Sequence, residues 1–253
     1  MSSGRDRVYA ELKSDIEGFL FDNKVTAVFA DMIRRSVPGY GAAVAMSGVI
    51  AARYARNDSN IYDLGCSLGA TTASIQQYLQ AQRCTIIAID SSQTMIDSCS
   101  KAFDCSDADE VQFVCDDIRD IDITGASVVA LNFTLQFIPP GERLELLQKI
   151  YAGMLPGGIL ILSEKLAFDH QQQQLFTDLH HAFKQANGYS ELEISQKRTA
   201  LENVLLPETM EQHRQRLQHA GFAAVYCWFQ CLNFASMIAF KSALSPDTAD
   251  HES

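Results

Sequence analysis

Two carboxylates and a cluster of small residues carry the clearest chemistry in this chain. Residues 61–72 read Ile-Tyr-Asp-Leu-Gly-Cys-Ser-Leu-Gly-Ala-Thr-Thr, with Asp63 in front of Gly65, Ser67 in the middle and Gly69 behind. The apolar run over 60–64 predicts a buried strand and 65–69 a tight turn. Beyond the turn, Ala73, Ile75, Tyr78 and Leu79 share one helical face. A strand, a glycine-bearing turn and a helix bring backbone N–H groups and a helix N-terminus up to a ligand. Glycine serves there because a Cβ would hold the ligand off the backbone. A second apolar run, over 84–89, ends in Asp90, about 20–25 residues past the glycines. A βαβ nucleotide fold places at that point the acid that accepts from a ribose diol.

These segments need a sheet to hold them, and the rest of the chain supplies one. Strands are predicted over 60–64, 84–90, 111–116, 127–133 and 158–164, with helices over 70–80, 93–103 and 140–154 between them. Such alternation indicates an α/β fold, a mainly parallel sheet with helices on both faces. Ligands of such sheets lie at the carboxyl ends of the strands, which gathers Gly65, Asp90, Asp117 and Asn132 around one crevice. Upstream, residues 1–16 are polar and expected to fray. Residues 17–35 and 42–56 read as helices around a turn at Pro38-Gly39-Tyr40. This pair could lie over the ligand edge as a lid. Tyr40 is then a candidate contact, or an ordinary turn residue.

Downstream, residues 168–219 interrupt the alternation with helical segments. Ser190 and Glu193 form a candidate helix cap, and 207–220 is amphipathic. Two closing strands, 222–230 and 234–241, are joined closely enough to make a hairpin. The expected organisation is a polar tail and helical lid over 1–56, an α/β domain over 57–241 with a helical insertion at about 166–220, and a disordered tail over 242–253.

Composition narrows the class. The chain has 253 residues, 47% of them hydrophobic, enough for one sizeable core. No apolar run reaches the ~18 residues of a membrane span, and 1–13 has no apolar signal core, so a cytoplasmic location is expected. The 7 cysteines are odd in number, scattered and without a Cys-x-x-Cys, which favours reduced thiols over zinc or disulfides. His180-His181 is the one histidine pair and reads as a helix surface, an interface or a substrate contact. A net charge of −11 argues against tight nucleic-acid binding, which needs clustered Lys and Arg. The isolated pairs Arg34-Arg35 and Lys197-Arg198 suit a small anionic substrate. Arg198 is the favoured anion ligand, since a guanidinium grips a carboxylate through two parallel bonds that lysine lacks; Arg34-Arg35 is the second candidate.

The pattern Asp63-x-Gly65-x-x-x-Gly69, with Asp90 and Asp116-Asp117-Ile118, resembles the class I S-adenosylmethionine (SAM)-dependent methyltransferases. Their pattern is an acid followed by x-Gly-x-Gly-x-Gly, and Ser67 stands here at the middle glycine. The resemblance implies a Rossmann-like fold, a mainly parallel seven-stranded sheet with helices on both faces and an added helical cap. It also implies a role for each strand-end group. Gly65 would approach the methionine part of SAM, and Asp90, with Ser91 beside it, would accept from the ribose. Asp117 and the Ile118 N–H would meet the adenine, and Asn132 the methionine amino group.

Longer segments sharpen the likeness. Ser36-Val37-Pro38-Gly39-Tyr40, Tyr62-Asp63-Leu64-Gly65-Cys66-Ser67-Leu68-Gly69, Asp117-Ile118-Arg119-Asp120, 131–137 and 187–198 closely resemble the carboxy-S-adenosyl-L-methionine synthases, over about 21–241. That family does not use SAM as a methyl donor. It carboxylates the methyl group with prephenate, releasing phenylpyruvate and water. The product serves a separate tRNA carboxymethyltransferase that modifies the wobble uridine, so no direct tRNA binding is expected of this chain. The resemblance assigns the SAM contacts to Tyr40, Gly65, Cys66, Ser67, Asp90, Ser91, Asp117, Ile118 and Asn132. It makes Arg198 both a contact and the residue that holds the carboxylate, and it implies a homodimer and no metal.

The chemistry is coherent. A sulfonium acidifies the attached methyl, and prephenate on fragmenting supplies both carbon dioxide and hydroxide. Hydroxide takes the methyl proton and leaves as water, while the carbanion adds to carbon dioxide. No protein base is required, so positioning and charge stabilisation carry the rate. The alternatives are an ordinary SAM-dependent methyltransferase and a non-catalytic SAM-binding subunit.

Overall fold

The computed structural model describes residues 4–12, 18–19, 21–103 and 111–242. The strand carrying Asp63 is β1 (Asn60–Leu64), and it lies inside a seven-stranded sheet. The other strands are β2 (Thr85–Asp90), β3 (Val111–Cys115), β4 (Ala126–Asn132), β5 (Met154–Lys165), β6 (Ala224–Cys231) and β7 (Phe234–Phe240). Their order is β3-β2-β1-β4-β5-β7-β6. β1 to β5 are parallel, and β7 runs antiparallel between β5 and β6. The chain builds outward from β1 to β3 and then returns to place β4 on the other side of β1. That reversal opens a crevice outside the carboxyl ends of β1 and β4.

Both faces of the central strands are covered, which is why they read as continuous apolar runs. On one face Ala51 and Ile75 pack over Ile61, Ile86, Val128 and Ile159. Ala51 belongs to α2 (Tyr40–Tyr54) and Ile75 to α3 (Ala70–Tyr78). The two helices approach closely because residue 48 is glycine; a Cβ there would stand 2.2 Å from Ser74 Oγ. On the other face α5 (Arg143–Gly153) and α8 (Met210–His219) supply Leu146, Leu147, Ile150 and Leu217. Each such fully buried aliphatic side chain contributes ~1.5–3 kcal/mol. α4 (Gln93–Ala102) sets Met95 and Ile96 inward beside β2.

The remaining helices form the cap. α1 (Asn23–Ser36) starts later than the predicted 17–35 because Asp22 caps it, accepting from the N–H groups of Lys24 and Val25. Residue 17 itself lies outside the described residues, and Gly18 and Phe19 are not helical. α6 (His170–Ala186) and α7 (Glu191–Leu201) fill the interruption, and Ser190 and Glu193 make the reciprocal cap expected of them.

The front segment differs from expectation. Within 4–12, Asp6 and Tyr9 are buried rather than frayed. The Tyr189 hydroxyl donates to Asp6 at 2.5 Å, and the Asp6 N–H donates to Asp31 at 2.9 Å. A polar stretch with no apolar period gave no hint of these partners. The remainder of the stretch expected to fray, 1–3 and 13–16, and the tail from 243 onward lie outside the described residues.

Candidate active site

A cleft of about 800 Å³ opens at the carboxyl ends of β1, β2 and β4, beneath α1, α6 and α7. Tyr40, Gly65, Cys66, Ser67, Asp90, Ser91, Asp117, Ile118 and Asn132 all line it. These residues come from five separate segments, so only the sheet brings them together.

The turn after β1 is fixed by its own hydrogen bonds. The N–H groups of Gly65 and Cys66 both donate to Ile89 O, at 2.8 and 2.9 Å. Gly65 has φ +78°, and a Cβ there would stand 2.3 Å from Thr134 Oγ1. Backbone conformation and space therefore both require glycine. Ser67 takes φ +52°, a left-handed conformation that costs a residue with a Cβ some strain. Its N–H donates to Asp90 Oδ2 at 2.9 Å, which anchors it. Ser92 N–H holds the other oxygen, Oδ1, at 2.9 Å. The Asp90 carboxylate is thus aimed by two backbone bonds and retains lone pairs for hydroxyl donors. Burial raises its pKa, and the two backbone bonds oppose that rise.

Neighbouring groups are equally tied. Asp63 is buried beneath the turn, and Thr72 Oγ1 donates to it at 2.6 Å. Burial foremost pushes Asp63 up to about 6. Asn132 donates to Ser47 and Thr71 Oγ1, and its carbonyl accepts from Ser163 Oγ at 2.6 Å. These bonds fix its amide orientation. Asp117 is gripped by Arg119 through Nε at 2.9 Å and Nη2 at 2.6 Å, which holds its carboxyl below the usual range. Tyr40 packs on Phe133 at 6.0 Å, and burial raises its phenol, so it stays a protonated donor. The Cys66 thiol is pushed up by its hydrogen bond with Cys99 first and by burial second, so it is no thiolate nucleophile.

Arg198 is placed differently. It is exposed on α7 and does not line the cleft of its own chain, whereas its neighbour Lys197 does. Adjacent helical residues point about 100° apart, which separates the two. The second arginine candidate also lies elsewhere. Arg34 is exposed and pairs with Asp31 at 3.6 Å. Arg35 is buried, donates to Asn187 O at 2.7 Å and stacks 3.9 Å over the Tyr189 ring. Neither lines the cleft.

Of the opposite wall, sequence reasoning named Lys197 and His180 and missed the rest. Lys165, Lys184 and Lys197 line it, with His180 and Gln136. His180 is not on a helix surface. It is buried, its Nε2 lies 2.7 Å from Ser36 O, and its ring meets Phe234 edge-on at 5.1 Å. Burial, helped by Lys184, pushes it down to about 3, so it is neutral. The available signal was Lys165, which ends β5 just as Asp90 ends β2. Among the described residues no group of three or more His, Cys, Asp or Glu could hold a metal ion, and no helix is long and apolar enough to cross a membrane.

Comparison with known proteins adds to this geometry. A family described as methyltransferase domain matches residues 61–158, the stretch from β1 to the start of β5. A carboxy-S-adenosyl-L-methionine synthase from Trichlorobacter lovleyi is 57% identical over 244 residues, spanning 95% of this chain and all of that one. Another from Shewanella woodyi is 54% identical over 243 residues, with the same coverage of both chains. Among solved structures, an O-methyltransferase family protein from Burkholderia thailandensis superposes with a TM-score of 0.63 at 20% identity. That match covers 89% of this chain and 62% of that one. The solved structure shares the class I methyltransferase fold, a seven-stranded sheet that is mostly parallel.

Proposed function

The chain belongs to the carboxy-S-adenosyl-L-methionine synthase family, and on that premise we propose that its cleft converts SAM and prephenate to carboxy-SAM, phenylpyruvate and water. It is a transferase of methyltransferase fold that takes SAM as substrate. The observation that carries the reading is identity above half across the whole length of relatives with that name.

The residues fit the roles. Asp90, aimed by the Ser67 and Ser92 amides, accepts from the ribose diol. The Ile118 amide and Asp117, fixed by Arg119, face the adenine. Asn132, its carbonyl held by Ser163, takes the amino group. Gly65, Cys66 and Ser67 present backbone to the methionine portion, and Tyr40 closes the cleft above them. The reaction carries its own base, since hydroxide released from prephenate removes the methyl proton. The enzyme's task is to hold the two substrates in line and keep water out.

Arg198 holds the new carboxylate. Because it is exposed and outside its own chain's cleft, it serves the cleft of a second copy, in a homodimer. Carboxy-SAM then passes to a tRNA carboxymethyltransferase in the cytoplasm, without tRNA binding by this chain.

The test is incubation of the purified protein with SAM and prephenate, read by mass spectrometry. Carboxy-SAM, heavier than SAM by one carbon dioxide, should appear when prephenate is supplied. Its absence, or methyl transfer that ignores prephenate, would overturn the reading. Mixing Arg198→Ala with Asp90→Ala tests the shared site. Partial activity should return in the mixture, because one cleft in the mixed dimer is whole. No recovery on subunit exchange would place Arg198 with its own chain.

A further inference from the structure

The chain carries a net charge of −11, yet one wall of the cleft is cationic. Lys165 stands at the end of β5, Lys184 on the inner side of α6 and Lys197 on the inner side of α7. Lys184 and Lys197 are 8% and 6% exposed, and lysines are seldom so buried without a paired charge.

Their surroundings do not supply the missing anions. Lys197 Nζ donates to Ser36 Oγ at 3.0 Å and lies 3.8 Å from Asp6 Oδ2. Lys165 and Lys184 have no ion pair among the described residues, and no carboxylate acts on either. Arg35 adds a further positive charge to Lys197, but it is matched by Asp31 at 3.0 Å. Glu193 acts on Lys197 from a distance, and His180 is neutral. Among the described residues, three ammonium groups therefore share one wall with a single close carboxylate, Asp6.

Each group feels the want of an anion. Burial, Lys197 and Lys165 push Lys184 down to about 7, and burial foremost pushes Lys197 down to about 8. A core position with no ligand to bind would not hold such residues, since apolar side chains of similar volume fill it more favourably. The wall also has apolar matter beside the cations. Phe133, Phe137 and Phe234 line the same cleft. β5 is the strand next to β4, so Lys165 stands beside the strand that delivers Asn132.

We propose that Lys165, Lys184 and Lys197 form the subsite for the carboxyl-supplying substrate, a small ring-bearing dicarboxylate whose two anionic groups meet the lysines while its ring lies on the phenylalanines. The assignment rests on the reading above that prephenate supplies the carboxyl group; it names the residues that would hold it. Two carboxylates offset the two uncompensated positive charges. SAM, a cation at its sulfur, is kept to the acid-bearing wall opposite. The fragmenting carboxylate is thereby set on the side of the cleft facing the methyl group.

The experiment uses Lys165→Met, Lys184→Met and Lys197→Met singly in the full chain. Methionine keeps the length and removes the charge, and among the described residues Lys165 makes no side-chain hydrogen bond, so its variant folds undisturbed. The KM for prephenate should rise about tenfold or more in each variant. SAM affinity by calorimetry should stay within about twofold of the parent. Unchanged KM for prephenate in all three would overturn the subsite and leave the reaction standing. A second probe, benzylmalonate titrated into protein loaded with S-adenosylhomocysteine, reads the subsite without turnover. If the parent does not consume prephenate yet binds benzylmalonate in a lysine-dependent way, the subsite stands and the choice of prephenate falls. If the parent binds neither dicarboxylate, the inference is wrong.

Discussion

The two walls of the cleft are built on opposite principles. On the acid wall the side chains of Asp90, Asn132 and Asp117 are already engaged. Asp90 accepts two backbone amides, Asn132 is held by three side chains, and Asp117 grips Arg119. On the basic wall Lys165 and Lys184 have no ion pair among the described residues, and Lys197 has Asp6 at 3.8 Å. The first wall is a rigid socket whose geometry precedes its ligand. The second holds unbalanced charge that an anion relieves. A binding group that is pre-bonded loses little on binding, whereas one under electrostatic tension favours occupancy.

This contrast is open to direct attack. Asp90→Ala should have the largest effect, weakening SAM binding by about a hundredfold or more. On the proposed assignment it removes two charge-assisted contacts to the ribose, and it frees the Ser67 and Ser92 amides. Calorimetry with SAM reads it, and a loss below about fivefold would mean that the socket does not depend on this acid. Gly65→Ala should follow. Its Cβ meets Thr134 and its φ is positive, so the fold should lose about 1–3 kcal/mol and melt several degrees lower. A melting temperature equal to the parent's would show that the turn yields easily, contrary to a rigid wall.

The basic wall should respond to pH rather than to shape. Lys184 sits at about 7 in the folded chain against an ordinary 10.5. Between those values the unfolded chain keeps the proton and the folded one has released it, so stability rises with pH across that window. Below about 7 both states are protonated and the penalty is full. Lys184→Met should therefore melt higher than the parent near pH 6, with the difference shrinking toward pH 10. A constant difference across that range would show that Lys184 is not strained.

The smallest effect belongs beneath the cleft. Glu164 is buried and accepts from Leu135 N–H at 3.0 Å, and its second oxygen has no hydrogen-bond partner among the described residues. Burial foremost raises it from 4.5 to about 8. Between those values the folded chain holds a proton that the unfolded chain lacks, so stability falls as pH rises and levels off above about 8. Glu164→Gln keeps the bond to Leu135 and should flatten that decline, gaining a few degrees in melting temperature at pH 9. An unchanged slope would remove Glu164 from the account.

The same contrast explains what the sequence disclosed. The acid wall was legible because its residues ride on short local signals. Gly65 and Ser67 follow an apolar strand directly, and Asp90 ends the next one, so periodicity and turn chemistry locate them. The basic wall has no such grammar. Lys165, Lys184 and Lys197 occupy a strand end and two helices, and each alone reads as a solvated charge. Only the cleft at which β5, α6 and α7 meet makes them one group. His180 was left between three readings for a related reason, since a histidine pair on a helix does not say which member faces inward. Helix ends drifted by a few residues where a cap such as Asp22 overrode the apolar pattern.

Asp6 gives the front of the chain more weight than its polar makeup suggests. It stands behind Lys197 and beneath Tyr189, and it is the resident counterweight of the cationic wall. Preparations of this enzyme trimmed by a dozen residues would lose that anion along with its anchor on Asp31. Such a shortened protein would pull sulfate or phosphate from its buffer into the empty place and look inhibited when it is merely occupied. Purification strategies should leave the leading residues whole.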